Sequence, residues 1–240
     1  MGEIFYHQRY QLKKKSLIQI IFITIAMIAC IKVALSGAGT SSDSFENTVD
    51  SVRPAIVRVE GNDIYGSGII LSMEENKIWI ATTMHFLEVC QEPLVTFWDG
   101  VEANGTMEYE SNEYDLGIIS VPIEEIGVEG TAAYLCAKMD PEAYARAETG
   151  DSMFLLGSAE NPAEDFYTGT IENTWCTVPD FPEIMLLSNC EAVPGMSGCG
   201  TFDEDGNLIG MLVGGNQAGE AVSLPLIDLQ EVLAQILTSS

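Results

Sequence analysis

Short apolar runs recur between turn-forming residues through most of the chain. The runs are Ala55–Val59, Ser67–Leu71, Lys77–Thr82, Leu94–Trp98, Leu116–Val121, Ser152–Leu156, Glu183–Leu187 and Leu208–Val213. Asp99-Gly100 and Asp205-Gly206 are dipeptides typical of tight turns between strands. Short strands with little helical periodicity are typical of a sandwich or barrel, so the pattern predicts an all-β fold.

The end of the chain departs from this pattern. Its apolar residues recur at helical spacing, namely Leu226, Leu229, Val232, Leu233, Ile236 and Leu237. The spacing predicts an amphipathic C-terminal helix over residues 225–237.

The first 36 residues differ from the rest in charge and hydropathy. They hold five bases against one acid, a net charge of +4, whereas residues 37–240 hold five bases against 35 acids, a net charge of −30. Leu17 to Leu35 supplies the roughly 20 apolar residues that a spanning helix needs, with Lys32 reaching the interface. Because basic flanks stay inside, we predict a cytoplasmic segment at 1–15, a transmembrane signal-anchor at 16–36, and an extracellular remainder at the cell membrane.

A cleaved signal peptide is the alternative interpretation of the same residues. Ala34-Leu35-Ser36, followed by Gly-Ala-Gly, resembles a cleavage site, and cleavage there gives a secreted protein. An N-terminus near residue 37 on the mature protein would exclude the anchor. Small and acidic residues follow, which predicts a flexible linker at 37–48.

The acidic exported part argues against several classes of function. Nucleic-acid binding depends on Lys and Arg that neutralise phosphates, and an anionic membrane surface repels such a chain. We therefore expect no nucleic-acid partner. The sequence has two histidines, His7 and His85, which is too few for a multi-histidine metal site. We predict neither a metal nor a cofactor.

Three residues beside apolar runs carry chemistry when taken together. His85 follows the run that ends at Thr82, Asp115 precedes the run that begins at Leu116, and Ser197 lies in a glycine-flanked turn. Each alone has a structural explanation, as a hydrogen-bonding, capping or turn residue. A serine nucleophile needs an imidazole to accept its proton, and the imidazole needs a buried carboxylate. The three residues supply these groups.

Around these residues the sequence resembles the chymotrypsin-like (trypsin-fold) serine proteases, and more closely the bacterial HtrA/Deg branch. The specific matches are the histidine box and the serine box, and the others are a glycine-containing strand, the aspartate box, the entry strand and the closing segment. In this chain they are Ala81–Leu87, Pro194–Gly198, Tyr65–Leu71, Tyr114–Ile119, Val52–Val57 and Ala221–Pro225. About 20 residues follow Glu220, so we expect no PDZ domain.

The resemblance implies two six-stranded Greek-key β-barrels, the first at 49–126 with the His and Asp, the second at 127–240 with the Ser and the C-terminal helix. Together with the predicted anchor, it implies a membrane-anchored serine endopeptidase in which His85 is the general base, Asp115 orients it, and Ser197 attacks the scissile carbonyl. The N–H groups of Gly195 and Ser197 would form the oxyanion hole. The oligomeric state stays open.

The resemblance also implies where a polypeptide substrate binds. Val213, Gly214 and Gly215 would offer a strand edge and a wall of the S1 pocket. Glu191 falls at the floor of that pocket, where a carboxylate favours Lys or Arg. The alternative for Glu191 is a solvated acid, one among 35. The −30 charge should draw basic peptides by long-range attraction.

Three residues depart from the family pattern and keep a second function open. Met84, Met196 and Cys199 stand where the family has smaller or polar residues. A pseudoprotease, which keeps the fold as a peptide-binding or scaffolding module, is the alternative to an enzyme.

Five cysteines lie beyond the apolar segment: Cys90, Cys136, Cys176, Cys190 and Cys199. An odd number in an oxidising compartment leaves at least one unpaired. We predict a disulfide between Cys176 and Cys190, which flank a hairpin. The alternative is that all five are reduced and buried.

Overall fold

The computed structural model describes residues 45–74, 76–127, 133–158, 166–181 and 183–239. All of them belong to the second of the two units into which the chain divides, residues 41–240. The predicted cytoplasmic segment and signal-anchor, 1–15 and 16–36, lie outside the described residues. No helix within the described ranges combines the length and the apolar character needed to cross a bilayer.

Helix α1 (Glu46–Val52) opens the described chain and continues into a 3-10 turn at Arg53–Ala55. Phe45, Val49 and Val52 recur on one helical face and are buried. The ring of Phe45 lies 5.4 Å from that of Phe154. The last residues of the predicted linker, 46–48, are therefore helical, because this apolar face packs onto the second half of the molecule. The rest of that linker up to residue 44 lies outside the described ranges.

Seven antiparallel strands form the first half. They are β1 (Ile56–Gly61), β2 (Ile64–Glu74), β3 (Lys77–Thr83), β4 (Leu94–Phe97), β5 (Glu102–Asn104), β6 (Thr106–Ser111) and β7 (Leu116–Pro122), with the short helices α2 (Met84–Leu87) and α3 (Ile123–Ile126). Their order across the sheet is β5-β4-β1-β2-β3-β7-β6.

This sheet corrects the prediction of a closed six-stranded barrel in the first half. Its two edge strands, β5 and β6, are consecutive in the chain and separated only by Gly105, so the sheet must curl until its edges adjoin. Gly105 donates its N–H to the carbonyl of Pro93 at 2.8 Å. The chain bends there, so one stretch is divided into a strand paired with β4 and another paired with β7.

A closed six-stranded barrel forms the second half, as predicted, with the order β10-β13-β12-β11-β8-β9. Its elements are α4 (Pro141–Arg146), β8 (Ser152–Leu156), β9 (Phe166–Thr177), β10 (Ile184–Ser188), β11 (Gly200–Asp203), β12 (Leu208–Gly215), β13 (Ala221–Pro225) and α5 (Leu226–Ser239). Helix α5 is the predicted C-terminal helix, and its ends differ from the prediction by the one or two residues usual for helix termini.

One apolar core is shared by the two halves. Ile69 and Trp79 of the first sheet belong to the same buried cluster as Phe154, Phe202 and Leu224 of the barrel. Phe154 and Phe202 stack with their ring centroids 5.3 Å apart. This shared packing holds β2 and β3 against the barrel, next to the turn that contains Ser197.

Cys176 and Cys190 are both free thiols, so the predicted disulfide between them is not formed. The thiol of Cys176 lies 3.6 Å from the carbonyl oxygen of Met185. Cys190 instead lies next to Gly169. Gly169 precedes Cys176 by seven residues of β9, which span about 23 Å of extended chain. The two thiols therefore lie toward opposite ends of the β9–β10 pair.

Candidate active site

The register of β3 and β7 brings His85 and Asp115 together. These strands are antiparallel, and Thr83 is paired with Leu116. The residue that follows Thr83 therefore meets the residue that precedes Leu116, and the N–H of Met84 donates to the carbonyl of Asp115 at 3.1 Å. His85 lies in the next position, on α2.

Both carboxylate oxygens of Asp115 contact His85. Oδ1 accepts the backbone N–H of His85 at 2.8 Å, and Oδ2 lies 2.6 Å from the ring atom Nδ1. The two side chains are 27% and 28% exposed. When Nδ1 carries the proton and donates it to Oδ2, Nε2 of the neutral ring is an acceptor. The pair therefore has the geometry of a general base with its orienting carboxylate.

Thr83 is a neighbour of the imidazole that the sequence analysis did not identify. It is fully buried, and its Oγ1 lies 3.4 Å from Nε2 of His85. Its position inside the histidine box was the only sequence signal. At this distance the hydrogen bond is weak, and the tautomer of the ring decides which of the two atoms donates.

Ser197 lies in a turn that we call the serine loop (residues 193–199). The N–H of Met196 donates to Val193 at 3.1 Å and that of Cys199 to Met196 at 2.8 Å, which makes two successive tight turns. Gly195 and Gly198 have φ of +90° and +86°, a backbone conformation that favours glycine. The two glycines predicted around Ser197 are therefore required by the path of the loop.

The serine loop is bound to the first sheet beside the histidine. The N–H of Ser67, on β2, donates to the carbonyl of Ser197 at 2.8 Å. A Cβ atom placed on Gly66 would lie 3.2 Å from that carbonyl oxygen and 3.7 Å from Cδ2 of Phe86. Gly66 thus has the carbonyl of Ser197 and the residue after His85 as close neighbours.

Two N–H groups of the serine loop have no acceptor among the described residues. Neither Gly195 nor Ser197 donates its N–H to an acceptor within the residues that the structure describes. These are the groups predicted for the oxyanion hole. The hydroxyl of Ser67, which the sequence analysis did not single out, donates to the carbonyl of Gly195 at 3.2 Å.

Tyr65 and Arg58 lie at the rim of the site and were also missed. The ring of Tyr65 lies directly against Gly195. The guanidinium of Arg58 lies 4.5 Å from the centre of that ring, and its Nε donates to Glu60 at 2.7 Å. Tyr65 belongs to the glycine-containing strand that the sequence analysis identified. Its contact with Gly195 could not be predicted, because the two residues are far apart in the sequence.

The predicted substrate-binding residues lie at the end of β12. Gly214 and Gly215 pair with Val222 and Ala221 of β13 on one side. On the other side the pairing with β11 ends at Met211, so among the described strands residues 213–215 have a partner on one side only.

Glu191 begins the segment that faces this strand end. A Cβ on Gly215 would lie 3.3 Å from Cβ of Ala192, the residue after Glu191. The structure therefore places Ala192, the residue after Glu191, beside Gly215. Within the described residues, no group of three or more His, Cys, Asp or Glu side chains could hold a metal ion.

The barrel, the curled sheet and the His–Asp pair next to a serine loop define the class of trypsin-like folds. Residues 66–211 match the family model described as "Trypsin-like peptidase domain", and the chain belongs to that family. His85, Asp115 and Ser197 lie inside the matched range.

A solved structure described as "HtrA-type protease AlgW with decapeptide" has a similar fold. The TM-score is 0.66 at 19% sequence identity, over 81% of this chain and 67% of that chain. No curated protein sequence matches the chain significantly.

Proposed function

We propose that this chain is a serine endopeptidase that cleaves polypeptides through Ser197, His85 and Asp115. The observation that carries the proposal is the double contact of Asp115 with His85, at 2.8 Å and 2.6 Å, in a chain of the trypsin-like peptidase family. A carboxylate held in this way fixes the ring and stabilises the imidazolium that forms when the ring accepts a proton.

Acylation uses each group in turn. Nε2 of His85 accepts the proton of the Ser197 hydroxyl as its Oγ attacks the scissile carbonyl carbon. The carbonyl oxygen becomes an oxyanion, which the N–H groups of Gly195 and Ser197 stabilise. The tetrahedral intermediate then breaks its C–N bond, and the imidazolium returns the proton to the leaving amine. An acyl ester on Ser197 remains.

Deacylation repeats the sequence with water. His85 accepts a proton from the water as its oxygen attacks the ester carbon, and the same two N–H groups stabilise the second oxyanion. The C–O bond to Ser197 breaks, Oγ regains a proton from His85, and the acid product leaves.

The proposed substrate binds as an extended strand. The free edge of Val213–Gly215 offers backbone groups for β-augmentation. The similar structure is described as an HtrA-type protease with a decapeptide, which supports a polypeptide as the substrate class. We propose Glu191 as the floor of the S1 pocket, which would favour Lys or Arg before the cleaved bond. The net charge of −30 on residues 37–240 would attract such basic peptides.

We also propose that residues 16–36 anchor the peptidase to the outer face of a cell membrane. The support is the apolar run and the basic segment before it, in contrast with the acidic remainder. Extraction of membranes with alkaline carbonate should leave the full-length protein in the pellet. N-terminal sequencing that begins near residue 37 would show secretion instead.

Reaction with a fluorophosphonate probe tests the proposed activity. The purified full-length protein should form one covalent adduct, and peptide mapping should locate it on Ser197. The Ser197→Ala variant should not react, whereas the matched variant Ser152→Ala, at an exposed serine of β8, should react like the wild type. A folded wild type that binds peptides without forming the adduct would favour the scaffolding alternative.

A further inference from the structure

The buried serine of β2 links three separate segments. Ser67 is fully buried. Its hydroxyl donates to the carbonyl of Gly195 at 3.2 Å and accepts the N–H of Ser158 at 2.9 Å. Its own N–H donates to the carbonyl of Ser197 at 2.8 Å. A single residue of the first sheet therefore binds two carbonyls of the serine loop and the end of the segment after β8.

These bonds determine how the serine loop presents its N–H groups. A carbonyl and the next N–H belong to one rigid peptide plane, so fixing the carbonyls of Gly195 and Ser197 fixes the planes at 195–196 and 197–198. The plane at 196–197, which carries the N–H of Ser197, lies between them. Its orientation is then limited by the two fixed neighbours, whose own N–H groups also donate, Met196 to the carbonyl of Val193 and Gly198 to the carbonyl of Leu212.

The packing around the Ser67 hydroxyl leaves no room for a water molecule to take its place. A Cβ on Gly157 would lie only 2.7 Å from Ser67 Oγ and 2.9 Å from Sδ of Met196, so the packing there is tight. The space left by one hydroxyl is smaller than a water molecule's share of liquid volume, about 30 Å³. Removing it would leave the Gly195 carbonyl and the Ser158 N–H without a partner.

We propose that Ser67 is a positioning residue that holds the serine loop in the conformation in which its N–H groups form the oxyanion hole. The inference rests on the proposed peptidase activity and deepens it. Ser67 touches neither substrate nor reacting atoms, and it acts through Gly195 and Ser197. The hydroxyl of Ser67 also connects Ser158, two residues after β8, to the serine loop.

The test compares two buried Ser→Ala variants. Ser67→Ala removes the hydroxyl that holds the serine loop. Ser223→Ala removes an equally buried hydroxyl, which joins β13 to β11 by pairing with Thr201 at 2.7 Å. Two readouts are measured on each full-length variant: the rate of fluorophosphonate labelling, and amide hydrogen exchange in peptides covering residues 190–200.

Ser67→Ala should label at least about tenfold more slowly, since losing an oxyanion-hole donor costs about 100-fold or more and this residue acts one step away. With a cleavable peptide, kcat should fall while KM stays near the wild-type value. Exchange at residues 190–200 should become faster in Ser67→Ala only. Ser223→Ala should match the wild type in all three measurements.

The proposal would be overturned if either the labelling rate or the exchange rate of Ser67→Ala were unchanged from the wild type. Slow labelling with unchanged exchange would mean that the effect does not pass through the serine loop. Fast exchange with unchanged labelling would mean that the loop is held but the reaction does not need it. If the wild type itself never labels, the proposed activity fails, and the exchange measurement still decides whether Ser67 holds the loop.

Discussion

The ring of Tyr65 lies against the Cα atom of Gly195, so the strand that binds the serine loop also leaves no room for a side chain at its first glycine. Gly195 has a φ of +90°, which an L side chain rarely adopts. Two independent constraints, one steric and one conformational, therefore require glycine at the position that would supply half of the oxyanion hole.

Gly195→Ala should abolish most of the reaction. The added methyl group collides with Tyr65 and strains the backbone, so the N–H of residue 195 moves, and labelling by a fluorophosphonate should slow by about 100-fold or more. Gly100→Ala is the control, because Gly100 has a similar φ of +85° with no atom near its missing Cβ. That variant should lose stability and keep its labelling rate. Equal rates in both variants would contradict the assignment of Gly195.

Asp115→Asn should lower kcat by roughly 10³- to 10⁴-fold at neutral pH, because an amide can donate to Nδ1 and so favour the wrong tautomer of His85. Steady-state cleavage of a peptide measures this loss. Asp203→Asn is the matched control, since Asp203 also accepts several hydrogen bonds, including those from the N–H groups of Asp205 and Asn207. Its kcat should remain close to that of the wild type.

Asp228→Asn should stabilise the protein above pH 7. Burial, together with the charges of Glu183 and Glu231, raises the pKa of Asp228 to about 6. The folded state therefore holds this proton more tightly than the unfolded state, whose ordinary value is 3.8, and stability increases as the pH falls through about 6.

The amide carries no charge, so it removes the penalty that the ionised carboxylate adds at high pH. Since Asp228 is partly exposed, we expect about 1 kcal/mol after screening, or a Tm increase of ~2–4 °C at pH 8. At pH 4.5 the increase should largely disappear. Asp205→Asn, at an exposed carboxylate outside this cluster, should show no such dependence on pH. A Tm increase of equal size at both pH values would mean that the carboxylate charge is not the cause.

The thiols should react in the order of their exposure. Cys136 is exposed, whereas Cys90, Cys190 and Cys199 are buried, and burial raises the pKa of Cys190 to about 12. Since the thiolate is the reactive form, iodoacetamide at pH 8 should modify Cys136 first in the native protein. After denaturation without a reductant, these four thiols and that of Cys176 should all be modified. Protection of Cys176 and Cys190 under those conditions would show the disulfide that the structure does not contain.

Glu191→Gln should change which bonds are cleaved. If the carboxylate lies at the floor of the S1 pocket, its loss should lower cleavage after Lys and Arg by at least about tenfold, as expected for a lost charge-assisted hydrogen bond. A peptide library analysed by mass spectrometry measures the preference. Glu204→Gln, at an exposed carboxylate of the β11–β12 turn, is the control. Cleavage by the wild type after aliphatic residues only would remove Glu191 from the pocket.

The sequence predicts the parts of this molecule that depend on local pattern. Three barrel strands, β8, β10 and β12, follow from short apolar runs between turns, and helix α5 follows from helical spacing. His85 and Asp115 were found because each lies next to an apolar run. That the two residues touch is a consequence of the β3–β7 register. The role of Ser197 stays a prediction until it is tested by chemistry.

The features that were missed depend on contacts between distant residues. Ser67 and Gly195 are separated by 128 positions. The apolar face of α1 can be interpreted only when its packing against Phe154 is known. The division of the chain at Gly105 into two strands depends on their separate pairing with β4 and β7. Tertiary packing decides each of these cases, and no window of sequence contains both partners.

The short outer strands of the curled sheet influence how copies of the molecule meet. β5 has three residues, and β5 and β6 carry the exposed residues Glu102 and Glu110. Negative charges along a brief edge discourage a neighbouring molecule from extending the sheet. Residues 213–215, in contrast, are Val-Gly-Gly and carry no charge. At high concentration, copies of this protein would thus not pair through β5 and β6. An extended polypeptide could still pair with the uncharged edge at residues 213–215.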